Sequence, residues 1–149
     1  MEPPTDDGSA ETHRTSFCRA KHRTYVLQAA IAAVHAEAHS IGETNWARIV
    51  SLYDVLVRID PWPVVALNRA VEIGMRDGPD AGLLMIEKVS SEGGLDDYHL
   101  AHAARADMQR RLGLADAARA SYHRALELTH QSAERRFLQA RLTELTDAP

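Results

Sequence analysis

The stretch LAHAARADMQRRLGLADAARASYHRALELTH, residues 100–130, decides the fold of this chain. Two amphipathic helices meet at the Leu112-Gly113 turn, because glycine readily adopts the left-handed conformation that ends a helix. In the second helix Ala118, Tyr122 and Ala125 fall on one face. The small alanines let neighbouring helices approach closely, and the tyrosine fills the gap beside them. The spacing predicts a tightly packed helix pair.

The same pair recurs, more loosely, earlier in the chain. Gly78 precedes Gly113 by 35 residues, and there Gly82 takes the close-approach position while Ile86 replaces the tyrosine. A first unit keeps Tyr53 and a proline eight residues later. Helix pairs repeating at about 34 residues are typical of tetratricopeptide-like stacks. We therefore predict an all-α, tetratricopeptide-like helical-repeat stack of about seven helices, with a generic seven-helix bundle as the alternative.

Breaks in the apolar periodicity set the expected domain organisation. Residues 1–24 are polar and hold adjacent prolines, so we expect a flexible leader, with helical extension over 17–24 as the alternative. A helical-repeat domain is expected over 25–146, with no strand. Asp96 or Asp97 is expected to cap the fifth helix, and Ser132 the seventh.

Composition narrows the class of function. The 149 residues are 45% hydrophobic and 26% charged, with a net charge of −4. This mixture is typical of a globular domain and does not indicate a nucleic-acid surface. Cys18 has no second cysteine to pair with, and no apolar run is long enough for a bilayer span. We expect a cytoplasmic, non-catalytic protein without a cofactor or direct contact with nucleic acid or membrane.

Four segments together resemble a specific family, namely YVLQAAIAAVHAEA (25–38), WARIVSLYDVLVRIDPWPVVALNRAVEI (46–73), LDDYHLAHAARADMQRRLG (95–113) and AERRFLQARLTEL (133–145). In this order they are similar to the C-terminal helical-repeat extension of one group of extracytoplasmic-function RNA polymerase sigma factors. The resemblance implies a regulatory module of transcription initiation that binds proteins, either sigma-factor domains or RNA polymerase.

The sequence departs from that family before Tyr25. The two sigma domains that bind core polymerase and read the promoter are absent, and no basic helix-turn-helix precedes the repeats. Three interpretations stay open: a truncated sigma factor, a wrongly assigned start, or a stand-alone descendant of the extension.

Polar side chains on the first helix of each pair are the candidate contacts for a partner. They project from the helices expected to line the groove of the stack, and they are His35, Glu37, Asn68, Arg69, His99, His102 and Arg105.

The histidines support a second hypothesis, a stand-alone helical protein that binds a small ligand or metal through surface histidines. His35 and His39 have the i, i+4 spacing of a metal pair, but Glu37 is misplaced for the metalloprotease motif. Trp62, between two prolines, is either a core residue or an exposed anchor.

Overall fold

The computed structural model describes residues 8–147. These residues form seven α-helices, here α1 to α7, and one short 3-10 helix over Ile41–Glu43. The helices are α1 (Gly8–Glu37), α2 (Trp46–Ile59), α3 (Pro63–Asp77), α4 (Pro79–Ser91), α5 (His99–Arg111), α6 (Ala115–Leu128) and α7 (Ser132–Asp147). The all-α class and the number of helices are as predicted. The chain divides into two compact units, one ending at Pro61 and one beginning at Trp62.

The first unit pairs α1 with α2. Ile31 and Val34 of α1 and Ile49, Val50 and Leu56 of α2 are its buried apolar side chains. The helix break between them comes at the 3-10 helix. α2 then begins after an N-cap residue, Asn45, whose side chain accepts a hydrogen bond from the backbone N–H of Arg48 at 3.0 Å.

The start of α1 differs from the expected one. We expected the helical region to begin at Tyr25, but α1 is continuous from Gly8 to Glu37. Residues 14–23 are exposed helix. Ala20, Lys21 and the arginines at positions 14, 19 and 23 have high helix propensity, so a helix nucleated further on can continue through this segment without burial. Residues 1–7 of the expected leader lie outside the described residues.

The second unit stacks α3 to α7 in sequence, each helix packed on the next. One core cluster joins α3, α4 and α5 through Leu67, Ala70, Ile86, Val89, Leu95, Ala101 and Met108. A second joins α5, α6 and α7 through Ala106, Ala118, Tyr122, Ala125 and Leu138. The predicted close-approach alanines and the gap-filling tyrosine are thus buried as the repeat pattern requires.

Gly113 ends α5 at the position that the sequence predicts. Gly113 has φ 76°, and two backbone hydrogen bonds close the end of α5, from Gly113 N to Arg110 O at 3.0 Å and from Leu114 N to Gln109 O at 2.9 Å. This is the Schellman arrangement, which pairs carbonyls that the helix itself leaves free.

Two expected helix caps are wrong. The N-cap position of α5 is Tyr98, without a side-chain cap bond, because buried Leu95 anchors a turn closed by the 3.1 Å hydrogen bond from Tyr98 N to Leu95 O. Asp96 and Asp97 therefore lie in that turn. Ser132 is the first residue of α7 rather than the residue before it.

Candidate functional site

An open, mainly apolar cavity between α5 and α7 is the candidate binding site of the second unit. Its volume is about 290 Å³. We call it the α5–α7 groove, and it is lined by His99, Leu100, Ala103, Ala133, Glu134, Phe137 and Leu138.

Two exposed apolar side chains give the groove its character. Leu100 is 43% exposed and Phe137 is 54% exposed, whereas Leu138 at the base is 2% exposed. Leu100 is exposed because of the register of α5, which places Ala101, and not Leu100, in the core. Large apolar side chains that face solvent within a concavity mark sites of protein contact more often than isolated exposed ones do.

A histidine and a carboxylate meet at one end of the groove. His99 Nε2 lies 2.8 Å from Glu134 Oε2, but the two atoms are not aligned for a hydrogen bond. Their contact is therefore chiefly electrostatic. The Thr129 hydroxyl donates a hydrogen bond to the same Glu134 oxygen, which fixes the carboxylate at the start of α7.

The other predicted residues of α5 lie near this contact but do not line the groove. His102 is half-buried, and its Nε2 is 2.8 Å from the backbone carbonyl oxygen of Asp96. It thereby ties α5 to the turn that precedes it. Arg105 is also half-buried, one helical turn further along, with its Nε removed from solvent.

The remaining candidates are on other helices. His35 is exposed on α1, with its ring 5.7 Å from that of Trp46 in an edge-on arrangement. Glu37 lies 3.9 Å from Arg48 of α2. On α3, Asn68 is exposed and Arg69 is half-buried. The structure thus places the seven candidates on three helices in two units, and only His99 lines the α5–α7 groove.

The proposed metal pair is separated by the end of α1. His39 lies beyond Glu37, the last residue of α1, and its Nδ1 is 3.8 Å from Glu43. Among residues 8–147 no three His, Cys, Asp or Glu side chains are grouped to hold a metal ion. Within the same residues no helix has the length and apolar content needed to cross a membrane.

Sequence reasoning missed the apolar half of the site. The stripe of α7 that packs in the core is Leu138, Leu142 and Leu145, and Phe137 falls outside it, so helical spacing alone does not indicate Phe137. A large aromatic residue beside a complete core stripe is the signal that was available. Trp62, for which the sequence allows either a core position or an exposed anchor, is 68% exposed.

Comparison with known proteins shows the fold of the chain. The first TPR domain of the human RPAP3 protein, solved by NMR, superposes with a TM-score of 0.60 at 19% sequence identity, covering 86% of this chain and 98% of that domain. The chain therefore has a tetratricopeptide-like helical-repeat fold.

Sequence comparison adds one relative and no family. An uncharacterized protein of Rhizobium meliloti (strain 1021) is 39% identical over 125 residues, which is 84% of this chain. The chain spans only 29% of the length of that relative. No protein-family model matches the chain.

Proposed function

We propose that this chain is a non-catalytic protein-interaction module that acts as the C-terminal regulatory extension of an extracytoplasmic-function sigma factor, or as a stand-alone descendant of one. Its partner would be a sigma-factor domain or a surface of RNA polymerase, and its place would be the cytoplasm, where transcription initiates.

The observation that carries the protein-binding part is the α5–α7 groove. Leu100 and Phe137 are both exposed there, next to the polar His99–Glu134 contact. An apolar centre with a polar rim is the usual composition of a protein-binding surface. The cavity of about 290 Å³ is at the lower limit of small-molecule pockets, about 300–1,000 Å³. It suits one or two side chains of a partner better than a complete small ligand.

The sequence resemblance supports the sigma-factor part. The four resembling segments cover residues 25–145 in the order found in the family. The Rhizobium relative is itself uncharacterized, and its similar sequence lies within a longer protein, of which this chain spans 29%.

The test is direct binding of the purified chain to purified sigma-factor domains and core RNA polymerase. We expect one of them to bind, and the double variant Arg69→Glu with Arg105→Glu to weaken binding by about tenfold or more. Because both arginines are half-buried, circular dichroism must first show that this variant folds.

A matched control separates local contact from overall charge. Arg124→Glu with Lys88→Glu changes the net charge equally at two exposed positions and should bind as the unmodified chain does. If the Arg69/Arg105 variant is folded and its affinity is unchanged, the contact surface does not extend from the α5–α7 groove to these two arginines. If neither the sigma-factor domains nor core polymerase binds the unmodified chain, the proposed function is wrong.

A further inference from the structure

Helix α1 is about twice as long as the helix on which it packs. It has 30 residues and α2 has 14, and each residue adds about 1.5 Å to a helix. The buried apolar side chains of α1, Ile31 and Val34, lie in its C-terminal half. Residues 14–23 of α1 are exposed throughout. We call residues 14–23 the α1 overhang.

The apolar stripe of α1 continues into the overhang. Phe17 precedes Ile31 by 14 residues, and Ala20 precedes Val34 by 14 residues. Because 14 residues make about four helical turns, Phe17 and Ala20 lie on the side of α1 that packs on α2 further along. Phe17 is nevertheless 62% exposed. The overhang thus continues a packing face that residues 8–147 leave uncovered.

Four basic side chains border this stripe within the overhang. They are Arg14 and Lys21 on one side, and Arg19 and Arg23 on the other. Lys21 Nζ lies 4.9 Å from the centroid of the Phe17 ring. Residues 12–36 include no aspartate or glutamate, and in the described part of the chain no carboxylate pairs with any of the four cations. Their charge is therefore available to a partner.

The overhang differs in charge from the rest of the protein. Residues 12–36 hold four of the 17 Lys and Arg residues and none of the 21 Asp and Glu residues, which leaves 13 basic and 21 acidic residues elsewhere, a net charge of −8. This acidic remainder would repel a nucleic acid bound to the overhang. A lipid surface needs a broad apolar face, whereas Phe17 is the one large apolar residue within 14–23.

A second copy of this chain is also a poor occupant. Two overhangs paired side by side would bring the cations of one against the cations of the other, because residues 12–36 have no carboxylate to alternate with them. In paired helices the charges that flank the apolar stripe decide the choice of partner. The chemistry that fits the overhang is therefore a helix whose flanking residues are acidic.

We propose that the α1 overhang pairs with an amphipathic helix of a partner protein, one whose apolar stripe is bordered by aspartate and glutamate. Apolar side chains of that helix cover Phe17 and Ala20, and its carboxylates face the cations on the two borders. The new contact prolongs the α1–α2 packing along the same stripe. This surface lies in the first unit and does not depend on the α5–α7 groove or on a sigma-factor role.

The test uses two synthetic amphipathic peptides of about three heptads with leucines in the apolar stripe. The flanking positions carry glutamate in one peptide and lysine in the other, and these like charges oppose self-pairing of either peptide. By fluorescence anisotropy with the full chain, we expect the glutamate peptide to bind at least about tenfold more tightly. Its affinity should fall as salt is added.

The single cysteine of the chain locates the bound peptide. Cys18 is exposed and lies within the overhang, one residue after Phe17. A donor dye attached to its thiol should transfer energy to an acceptor dye on the glutamate peptide. Binding without energy transfer would place the peptide elsewhere on the chain and overturn the inference.

Matched charge variants separate the overhang from the overall charge. Arg14→Gln with Arg23→Gln should weaken binding of the glutamate peptide by about tenfold. Lys88→Gln with Arg136→Gln removes the same charge from exposed positions of α4 and α7 and should leave the affinity unchanged. All four side chains are exposed, and circular dichroism checks that both double variants fold.

Matched aromatic variants test the apolar stripe. Phe17→Ala should weaken binding of the glutamate peptide by about tenfold. Tyr25 is 67% exposed, as Phe17 is 62% exposed, but it lies off the stripe, so Tyr25→Ala should bind as the unmodified chain does. Equal losses for the two variants would overturn the pairing along the stripe.

Three other results would also overturn the inference. They are equal affinity for the two peptides, no binding of either, and equal effects of the two double charge variants. Tighter binding of a DNA duplex or an anionic phospholipid vesicle at the Cys18 dye, or a dimer in sedimentation that Phe17→Ala dissolves, would assign the overhang to that occupant instead. Failure of the proposed function is separable, because the sigma-factor and polymerase assays vary Arg69 and Arg105, which the overhang variants leave intact.

Discussion

Gly74 of α3 and Gly82 of α4 face each other so closely that a Cβ added to Gly82 would lie 2.6 Å from the Gly74 Cα. A Cβ on Gly74 would lie 2.8 Å from Cε of Met108. The α3–α4 pair is thus packed backbone against backbone, with a methionine of α5 covering the contact. Such an approach allows no side chain at either position.

Gly82→Ala should therefore destabilise the chain, although alanine is the better helix former by about 1 kcal/mol. Overpacking against a backbone atom costs about 1–3 kcal/mol. Because this cost exceeds the gain in helix propensity, the free energy of unfolding measured in urea titrations should fall. Gly42→Ala is the control, since the nearest atom to its added Cβ is Ser40 Oγ at 3.9 Å. Unchanged stability of Gly82→Ala would show that the two helices are further apart.

Ile86 and Leu84 give a second stability test within one helix. Ile86 is 0% exposed and Leu84 is 68% exposed. Ile86→Ala leaves a cavity and should cost about 2–5 kcal/mol, whereas Leu84→Ala should change stability by less than about 0.5 kcal/mol. Similar losses for both variants in thermal unfolding would contradict the placement of α4.

The end of α5 depends on the left-handed conformation of Gly113, at φ 76°. Gly113→Ala should cost about 1–2 kcal/mol, because a Cβ strains that conformation. Gly113→Asn should cost less, since asparagine tolerates it better. If Gly113→Asn unfolded at a lower urea concentration than Gly113→Ala, the Schellman ending of α5 would be contradicted.

Burial of Tyr122 predicts a loss of stability in alkali. Burial raises the pKa of its phenol, although the hydrogen bond from Arg110 acts in the opposite direction. As the pH rises above about 10, the unfolded chain releases this proton first, so the stabilisation of the neutral phenol is lost between the unfolded and folded pKa values. Above that pH, the free energy of unfolding of Tyr122→Phe should depend less on pH than that of the unmodified chain. Parallel pH dependences for the two proteins would refute this account of Tyr122.

Local sequence signals predicted most of the fold because each signal acts over a few residues. Gly78 and Gly113 end helices through backbone conformation alone, and Ala118 and Tyr122 follow from helical spacing. The start of α1 could not be predicted from hydrophobicity, since residues 14–23 remain helical without being buried. The cap at Asp96 failed because the turn there depends on burial of Leu95, a tertiary effect.

The site was less predictable than the fold, for a physical reason. The sequence predicts His102 and Glu37 as partner contacts, but both side chains form contacts within the chain, which only a structure reveals. The groove itself arises where α5 and α7 face each other, although Leu100 and Phe137 are 37 residues apart. No local pattern links two such positions.

Site-specific photo-crosslinking at position 137 tests the central claim, that the α5–α7 groove docks a protein of the transcription machinery. A photoreactive phenylalanine analogue replaces Phe137 in one variant and the exposed Leu84 of α4 in the control, and adducts are identified by mass spectrometry in cells of the source organism. We predict one adduct from position 137, with a sigma-factor domain or an RNA polymerase subunit, and none from position 84. The same adducts from both positions, or none from position 137, would contradict it.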